Sequence, residues 1–140
     1  MSATRTGHWR NVGLALGLVG AIDGLYLSIE SMNSRIPLYC PTVGMVNCGA
    51  VTSSTFSKFA GVPVSFLGLA WFAVMVLVFA VNRPALNSAL VPLWLIGLVG
   101  VGYFVFIEQF ALHAICPYCT LAHLLGILMG APAFKLGLEG

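Results

Sequence analysis

Four cysteines are the residues of this chain best suited to chemistry, and they form two pairs with different spacing. Cys116 and Cys119 enclose a proline and a tyrosine in a CxxC motif, whereas seven residues separate Cys40 from Cys48. A CxxC motif is typical of either a redox centre or a metal site. A third interpretation makes Cys40–Cys48 a structural bridge and leaves Cys116 and Cys119 as small buried apolar side chains.

The CxxC motif stands near the start of a predicted apolar helix. Backbone N–H groups at a helix N-terminus and the helix dipole stabilise a thiolate, which makes Cys116 a candidate reactive thiol. Residues three apart lie on one face of a helix, with Cα atoms about 5 Å apart, and a disulfide tolerates that distance. Cys116 and Cys119 can therefore open and close a disulfide locally.

Zinc is the competing interpretation of the cysteines. A structural zinc site usually combines two closely spaced ligand pairs, and the seven residues between Cys40 and Cys48 exceed the usual spacing of such a pair. His113 and His123 are candidates for a further ligand. The alternative function is therefore a metal-binding or metal-transporting membrane protein that uses the same four cysteines. A non-catalytic membrane subunit with structural disulfides is a further alternative.

The composition indicates that these cysteines are held in a membrane. Hydrophobic residues make up 59% of the 140 residues and charged residues 7%, against about 25% charged in soluble proteins. Crossing a hydrocarbon core of about 30 Å takes about 20 apolar residues in a helix. Four stretches meet this requirement, near 12–31, 62–81, 89–109 and 114–134. The predicted fold is an all-α integral membrane four-helix bundle, a single four-span domain over residues 1–140.

The predicted long loop, residues 32–61, connects the first two spans, and a short surface helix is expected within 51–59. With four crossings, this loop and the start of the fourth helix lie on the same membrane face, so all four sulfurs can meet. The opposite face carries the larger number of basic residues, and the positive-inside rule therefore places the loop outside the cell membrane. The basic residues are scattered and the net charge is only +2, which excludes a nucleic-acid-binding surface.

Several of these elements occur in the same order in a known family. After the pair Cys40 and Cys48 come Ser54, then Gly-Val-Pro at 61–63 leading into Phe-Leu-Gly-Leu at 66–69, and finally the CxxC motif at the start of the fourth span. Over most of the chain, from about Asp23 to Gly126, this order resembles bacterial and archaeal members of the vitamin K epoxide reductase family. DsbB-type disulfide generators carry a CxxC-type pair first and a widely spaced pair second, which is the reverse order.

The resemblance implies a thiol:quinone oxidoreductase that generates disulfides. A reduced thioredoxin-fold, DsbA-like partner would be oxidised by Cys40–Cys48, Cys48 would exchange with Cys116 through an interloop disulfide, and Cys119 would face a quinone such as ubiquinone or menaquinone. Thiol exchange requires only a thiolate and in-line contact between sulfurs. The chain has no dinucleotide or flavin motif, so an external electron acceptor is required.

The resemblance assigns Ser54 to the quinone region, and helix spacing makes His123 a second candidate. The alternatives are an ordinary polar residue of the short helix at Ser54 and a satisfied bundle histidine at His123. A serine at the position of Ser54 supports the active-site helix and the region around the quinone. His123 stands where the animal enzymes carry a tyrosine, four residues beyond the second CxxC cysteine, and at i+4 from Cys119 it lies on the same helix face. This departure implies quinone reduction coupled to disulfide formation rather than epoxide reduction.

Two carboxyl groups lie in or near the predicted spans, and each has two interpretations. Asp23 lies within the first span, where an ionisable group needs a partner, water or a proton path. It either relays protons or is a neutral Asp hydrogen-bonded to Ser28, Tyr26 or a neighbouring helix. Glu108 and His113 flank the predicted outer turn before the CxxC motif. They either tune Cys116 or are interfacial residues, and an interfacial glutamate needs no special role.

Overall fold

The structure, a computed structural model, describes residues 2–32, 44, 46 and 58–139. The first helix, α1, covers Ser2–Met32. A small antiparallel hairpin then pairs β1, Lys58–Phe59, with β2, Val62–Pro63. The second helix, α2, follows β2 directly and covers Val64–Val81.

The second half of the described chain is helical almost throughout. A short helix α3, Pro84–Asn87, precedes α4, Leu90–Phe106. The helix then continues as a π-helix, Ile107–Leu112, whose turns are wider than those of an α-helix. After a break that contains Cys116, α5 covers Pro117–Leu128 and α6 covers Gly130–Glu139.

Four segments of the described chain are long and apolar enough to cross a membrane. They are Arg5–Met32, Val64–Val81, Pro84–Leu112 and Pro117–Leu138. Large apolar side chains point outward along them, and the side chains of Ile22 and Val99 are 67% and 75% exposed. Such exposure is unfavourable in water but expected of a surface in contact with lipid. The predicted all-α four-span membrane bundle is confirmed.

The second and fourth helical spans begin two or three residues later than the approximate positions predicted from the sequence. The second span begins at Val64 because Val62 and Pro63 form strand β2. The fourth begins at Pro117 because the residues before it form the turn out of the π-helix. The surface helix expected within 51–59 falls mostly outside the described residues, and its last two residues, Lys58 and Phe59, form a strand.

The hairpin between Lys58 and Pro63 fixes where α2 begins. Ala60 and Gly61 form its two-residue turn, with φ of 53° and 85°. Positive φ at both turn positions is the geometry of the tight turns whose twist matches paired strands. The turn therefore brings Lys58 directly opposite Pro63, at the N-terminal end of α2.

A row of glycines brings α1 and α2 into close contact. A Cβ atom at Gly13 would lie 2.6 Å from ring atoms of Phe79, and one at Gly17 would lie 2.6 Å from Val76 Cγ2. At Gly24 the nearest atom would be the backbone Cα of Leu69, at 3.2 Å. Small residues at this spacing let helix backbones approach in a membrane, where van der Waals packing drives association.

Two tryptophans join the remaining helices by hydrogen bonds to backbone carbonyls. Trp71 Nε1 on α2 donates to the Leu93 oxygen on α4, and Trp94 Nε1 on α4 donates to the Gly126 oxygen on α5, both at 2.9 Å. A polar group exposed to lipid has no water to bond with, so each of these contacts favours the assembled bundle. The helices that carry the site are thereby fixed relative to one another.

Candidate redox site

Cys116 is the residue immediately before α5. Its backbone is extended, with φ −103° and ψ 115°, and Pro117 follows as the first helical residue. Proline is favoured there because it has no N–H to satisfy and its fixed φ suits the helix. The Cys116 carbonyl accepts hydrogen bonds from the Thr120 N–H and from Thr120 Oγ1, both at 2.9 Å. The first turn of α5 thus holds the CxxC motif in place.

The two CxxC sulfurs are free thiols in contact with each other. Cys116 is fully buried, whereas Cys119 is partly exposed. The Cys119 thiol donates a hydrogen bond to Cys116, which lowers the pKa of the Cys116 thiol more than any other contact does. The backbone N–H groups of Tyr118 and Cys119 also face this sulfur and lower its pKa, although neither closes a full capping hydrogen bond. Cys116 is therefore the better nucleophile of the pair.

The π-helix before the CxxC motif brings Glu108 into the protein interior. The Glu108 carbonyl accepts hydrogen bonds from the N–H groups of His113 and Ala114, the latter at 3.1 Å, and His113 ends the π-helix with a φ of 50°. Glu108 is only 5% exposed. Its carboxyl group accepts a hydrogen bond from the backbone N–H of Cys116. The glutamate is therefore attached to the CxxC motif rather than exposed at the membrane interface.

A cavity of about 690 Å³ lies against the CxxC pair. Cys119, but not Cys116, is among the described residues that line it, and the lining is mostly apolar. Its polar lining includes Ser65, Glu108 and His123 from three different spans. A largely apolar cavity of about 300–1,000 Å³ with a few convergent polar groups is typical of a site for a small molecule.

His123 lies one helical turn beyond Cys119 and lines the same cavity. Its imidazole ring is nearly parallel to the ring of Phe104, with an interplanar angle of 9° and centroids 6.5 Å apart. At that separation the two rings are aligned without being in full stacking contact. The cavity therefore has flat aromatic surfaces beside the cysteine pair, on both α4 and α5.

Tyr26 and Tyr118 connect α1 to the CxxC motif, with ring centroids 5.2 Å apart. Asp23 lies one turn before Tyr26, is 7% exposed, and has its Oδ2 buried without a hydrogen-bond partner in the described part of the chain. The hydroxyl of Ser28 donates to the Gly24 carbonyl at 2.6 Å. The Ser28 hydroxyl therefore has no proton left to donate to Asp23, although its oxygen can still accept one from a protonated Asp23.

Val46 of the long loop contacts the segment that leads into the CxxC motif. Val46 forms a parallel β-bridge with Ile115, the residue before Cys116. Cys40, Cys48 and Ser54 lie outside the described residues, so the structure places only Cys116, Cys119 and His123 among the predicted site residues. Among the described residues, no cluster of three or more His, Cys, Asp or Glu side chains could hold a metal ion.

Sequence reasoning left two interpretations of Glu108 open, a residue that tunes Cys116 and an interfacial glutamate, and it did not predict burial. Its burial depends on the wide turn of the π-helix, which has no clear signature in the sequence. The position itself offered a signal: it is one of only four acidic residues in the chain, and it adjoins an apolar span close to a CxxC motif.

The fold and the site together define a four-span membrane protein with a CxxC dithiol beside an apolar cavity. Comparison with protein-family models matches residues 12–133 to the vitamin K epoxide reductase family, and the chain belongs to that family. An uncharacterized protein of Archaeoglobus fulgidus is 35% identical over 129 residues, which cover 91% of this chain and 97% of that protein. Family membership supports a redox function of the vitamin K epoxide reductase type, in a family whose enzymes act with quinones.

Proposed function

We propose that this protein is a membrane thiol:quinone oxidoreductase that generates disulfides. Electrons from a thioredoxin-fold, DsbA-like protein pass to Cys40–Cys48, from Cys48 to Cys116, and from the Cys116/Cys119 pair to a quinone. The observation that carries the proposal is the unequal placement of the two CxxC sulfurs. Cys119 lines the apolar cavity, whereas Cys116 is buried beside the segment that contacts the loop.

The bridge between Val46 and Ile115 supports exchange between Cys48 and Cys116. Paired strands lie about 5 Å apart, and two residues of extended chain span at most about 7 Å. Cys48, two residues after Val46, is therefore within reach of Cys116, one residue after Ile115. A disulfide needs Cα atoms about 4.4–6.8 Å apart. The length of chain between each cysteine and the bridge therefore permits the two sulfurs to meet.

The acidity of Cys116 suits it to this exchange. Its lowered pKa increases the thiolate fraction near neutral pH, and the thiolate is the form that attacks a disulfide sulfur. When electrons flow to the quinone, the Cys48 thiolate attacks Cys116 of the CxxC disulfide and Cys119 leaves as a thiol. Cys40 then attacks Cys48, which re-forms Cys40–Cys48 and releases Cys116, whose lowered pKa makes it a good leaving group. In reverse, the Cys116 thiolate attacks Cys48 of the Cys40–Cys48 disulfide, and Cys119 then displaces Cys48 and closes the CxxC disulfide. The same two steps account for electron flow in either direction.

The cavity fits a quinone ring by its size, its apolar lining and its few polar groups. A bound quinone would supply the two-electron acceptor that the chain itself lacks. Cys119 and His123 line the cavity, so His123 is positioned to hydrogen-bond a quinone oxygen while the aromatic surface of Phe104 contacts the ring. Ser54 is proposed to support this region from the loop. The proposed location is the cell membrane, with this site on the extracytoplasmic face, as the positive-inside rule favours.

The proposal is tested by trapping the intermediate between the two pairs. In Cys119→Ala, the thiol that resolves the mixed disulfide is missing, so we expect a Cys48–Cys116 disulfide to accumulate under oxidising conditions, identified by peptide mass spectrometry. Cys116→Ala is the matched control and should not form it. Purified wild-type protein should oxidise a reduced thioredoxin-fold protein only when a quinone is added. Absence of both results would refute the relay.

The metal-binding alternative gives a different result in the same preparation. Stoichiometric zinc in protein purified without added metal, lost on alkylation of the four cysteines, would replace the redox proposal. Orientation is tested separately with a membrane-impermeant thiol reagent applied to intact cells before and after reduction. Labelling of Cys40 and Cys48 only after permeabilisation would place the site on the cytoplasmic face.

A further inference from the structure

We propose that Glu108 carries protons between the Cys116/Cys119 thiols and the quinone, as a further residue of the reaction. The inference rests on the thiol:quinone function proposed above. Conversion of the dithiol to a disulfide breaks two S–H bonds, forms one S–S bond, and transfers two electrons and two protons to the quinone. The largely apolar cavity requires a group that moves these protons, because an unpaired charge in such surroundings is costly.

The position of Glu108 meets the requirements for this role. Its carboxyl group accepts a hydrogen bond from the backbone N–H of Cys116, and Glu108 is among the residues that line the cavity that Cys119 lines. It is therefore held between the two reacting groups by one hydrogen bond, and it is 5% exposed. A carboxylate can accept a proton from a thiol, donate it to a quinone oxygen, and return to its starting state. Repeating this cycle delivers both protons.

Other titratable groups face the same region but are less well placed. Glu30 and Lys58 line the cavity from α1 and from the hairpin, and neither is among the groups that interact electrostatically with the cysteines. Asp23 interacts electrostatically with Cys119 but is not among the lining residues. His123 lines the cavity one turn from Cys119. Of these groups, Glu108 alone both lines the cavity and bonds to the CxxC backbone.

The charge of Glu108 also has an effect on Cys116 that separates this role from a structural one. Its negative charge opposes formation of the Cys116 thiolate and raises the pKa of that thiol, against the larger lowering by Cys119. Glu108→Gln keeps an oxygen that can accept the Cys116 N–H but removes both the charge and the ability to take up a proton. We therefore expect thiolate formation to become easier while the quinone step becomes slower.

The experiment measures the two half-reactions of purified protein separately. Pre-reduced protein is mixed with decylubiquinone, and quinone reduction is followed in a single turnover. Exchange between the oxidised protein and a reduced thioredoxin-fold protein is followed on the same preparation, and the Cys116 thiolate is titrated by absorbance at 240 nm. General acid–base catalysis contributes about 10²–10⁴-fold, so Glu108→Gln should slow quinone reduction by at least about 100-fold.

Matched variants make the result specific. Glu139→Gln changes the last residue of α6, just beyond the C-terminal end of the fourth span, and should leave all three measurements unchanged. Glu108→Asp should reduce the quinone at least about 10-fold faster than Glu108→Gln does, because a carboxyl group is present again. Normal thiol exchange and a Cys116 titration moved to lower pH in Glu108→Gln would show that the site remains folded.

Two results would overturn the inference. Quinone reduction by Glu108→Gln at the wild-type rate would show that no proton passes through residue 108. Equal loss of quinone reduction and thiol exchange would show that Glu108 only holds the structure together. If instead the wild-type protein fails to reduce any quinone while exchanging thiols normally, the proposed function is wrong and the inference falls with it.

Discussion

The glycine contacts between α1 and α2 predict a measurable loss of stability when a single methyl group is added. In Gly13→Ala the new Cβ would lie 2.6–2.8 Å from three ring atoms of Phe79, whose side chain is fully buried. Ordinary contact requires about 3.4–4 Å, so the ring or the helix must move by about 0.8 Å. Over-packing of this kind costs about 1–3 kcal/mol, and alanine returns up to about 1 kcal/mol of helix propensity.

The contact is isolated by a control on the same helix. Gly7→Ala adds the same methyl group to α1 where nothing lies within 4 Å, so it shares the propensity gain without the clash. We expect the two variants to differ by about 2 kcal/mol in free energy of unfolding, measured by circular dichroism during SDS titration in mixed micelles. The cost of Gly13→Ala should shrink in a Phe79→Leu background. Equal stabilities of the two alanine variants, or an unchanged cost in that background, would refute the reasoning.

Three further predictions concern the site and its supports. Cys119→Ala removes the thiol that lowers the pKa of Cys116, so the Cys116 thiolate should form at higher pH. The shift should be smaller in Cys119→Ser, whose hydroxyl can still donate a hydrogen bond. The measurement is an absorbance titration at 240 nm in protein without the loop cysteines, and identical titration curves for wild type and Cys119→Ala would contradict the prediction. His123→Phe keeps an aromatic ring but loses one hydrogen bond of about 1–1.5 kcal/mol, so KM for decylubiquinone should rise about 5–10-fold; an unchanged KM argues against contact with the quinone. Trp94→Phe removes the hydrogen bond to Gly126 and should lower the free energy of unfolding by about 0.6 kcal/mol, and no change in SDS titration would show that the bond contributes nothing.

The number of spans could be predicted from the sequence because a helix in lipid must be apolar over a known length. The ends of the spans could not, since Val62 and Pro63 are as apolar as the helix that follows and only pairing with β1 makes them a strand. The close packing of α1 against α2 did have a sequence signature in the spacing of its glycines. Hydropathy gives no weight to glycine, so composition alone does not reveal that contact.

The site was predictable where chemistry is determined by local sequence. The CxxC motif before a helix predicts an acidified thiol at Cys116, and in the structure the Cys119 thiol, followed by backbone N–H groups at the start of α5, lowers the pKa of this thiol. The side chain of Glu108 could not be placed in this way. Its direction depends on hydrogen bonds from His113 and Ala114 that widen the helix, and these form only when the whole turn packs. The contact between Val46 and Ile115 is likewise a pairing between distant segments that no local pattern encodes.

The π-helix at Ile107–Leu112 has a consequence for how relatives of this protein diverge. A π-turn holds about one residue more than an α-turn, so it behaves in evolution as a one-residue insertion within a helix. A descendant that deleted one residue here would keep four apolar spans and all its cysteines. The side chains before the deletion would rotate by about 100° relative to the CxxC motif, and the carboxyl group of Glu108 would turn away from the cavity. A single-residue gap between the third span and the CxxC motif would therefore mark relatives that move protons by another route.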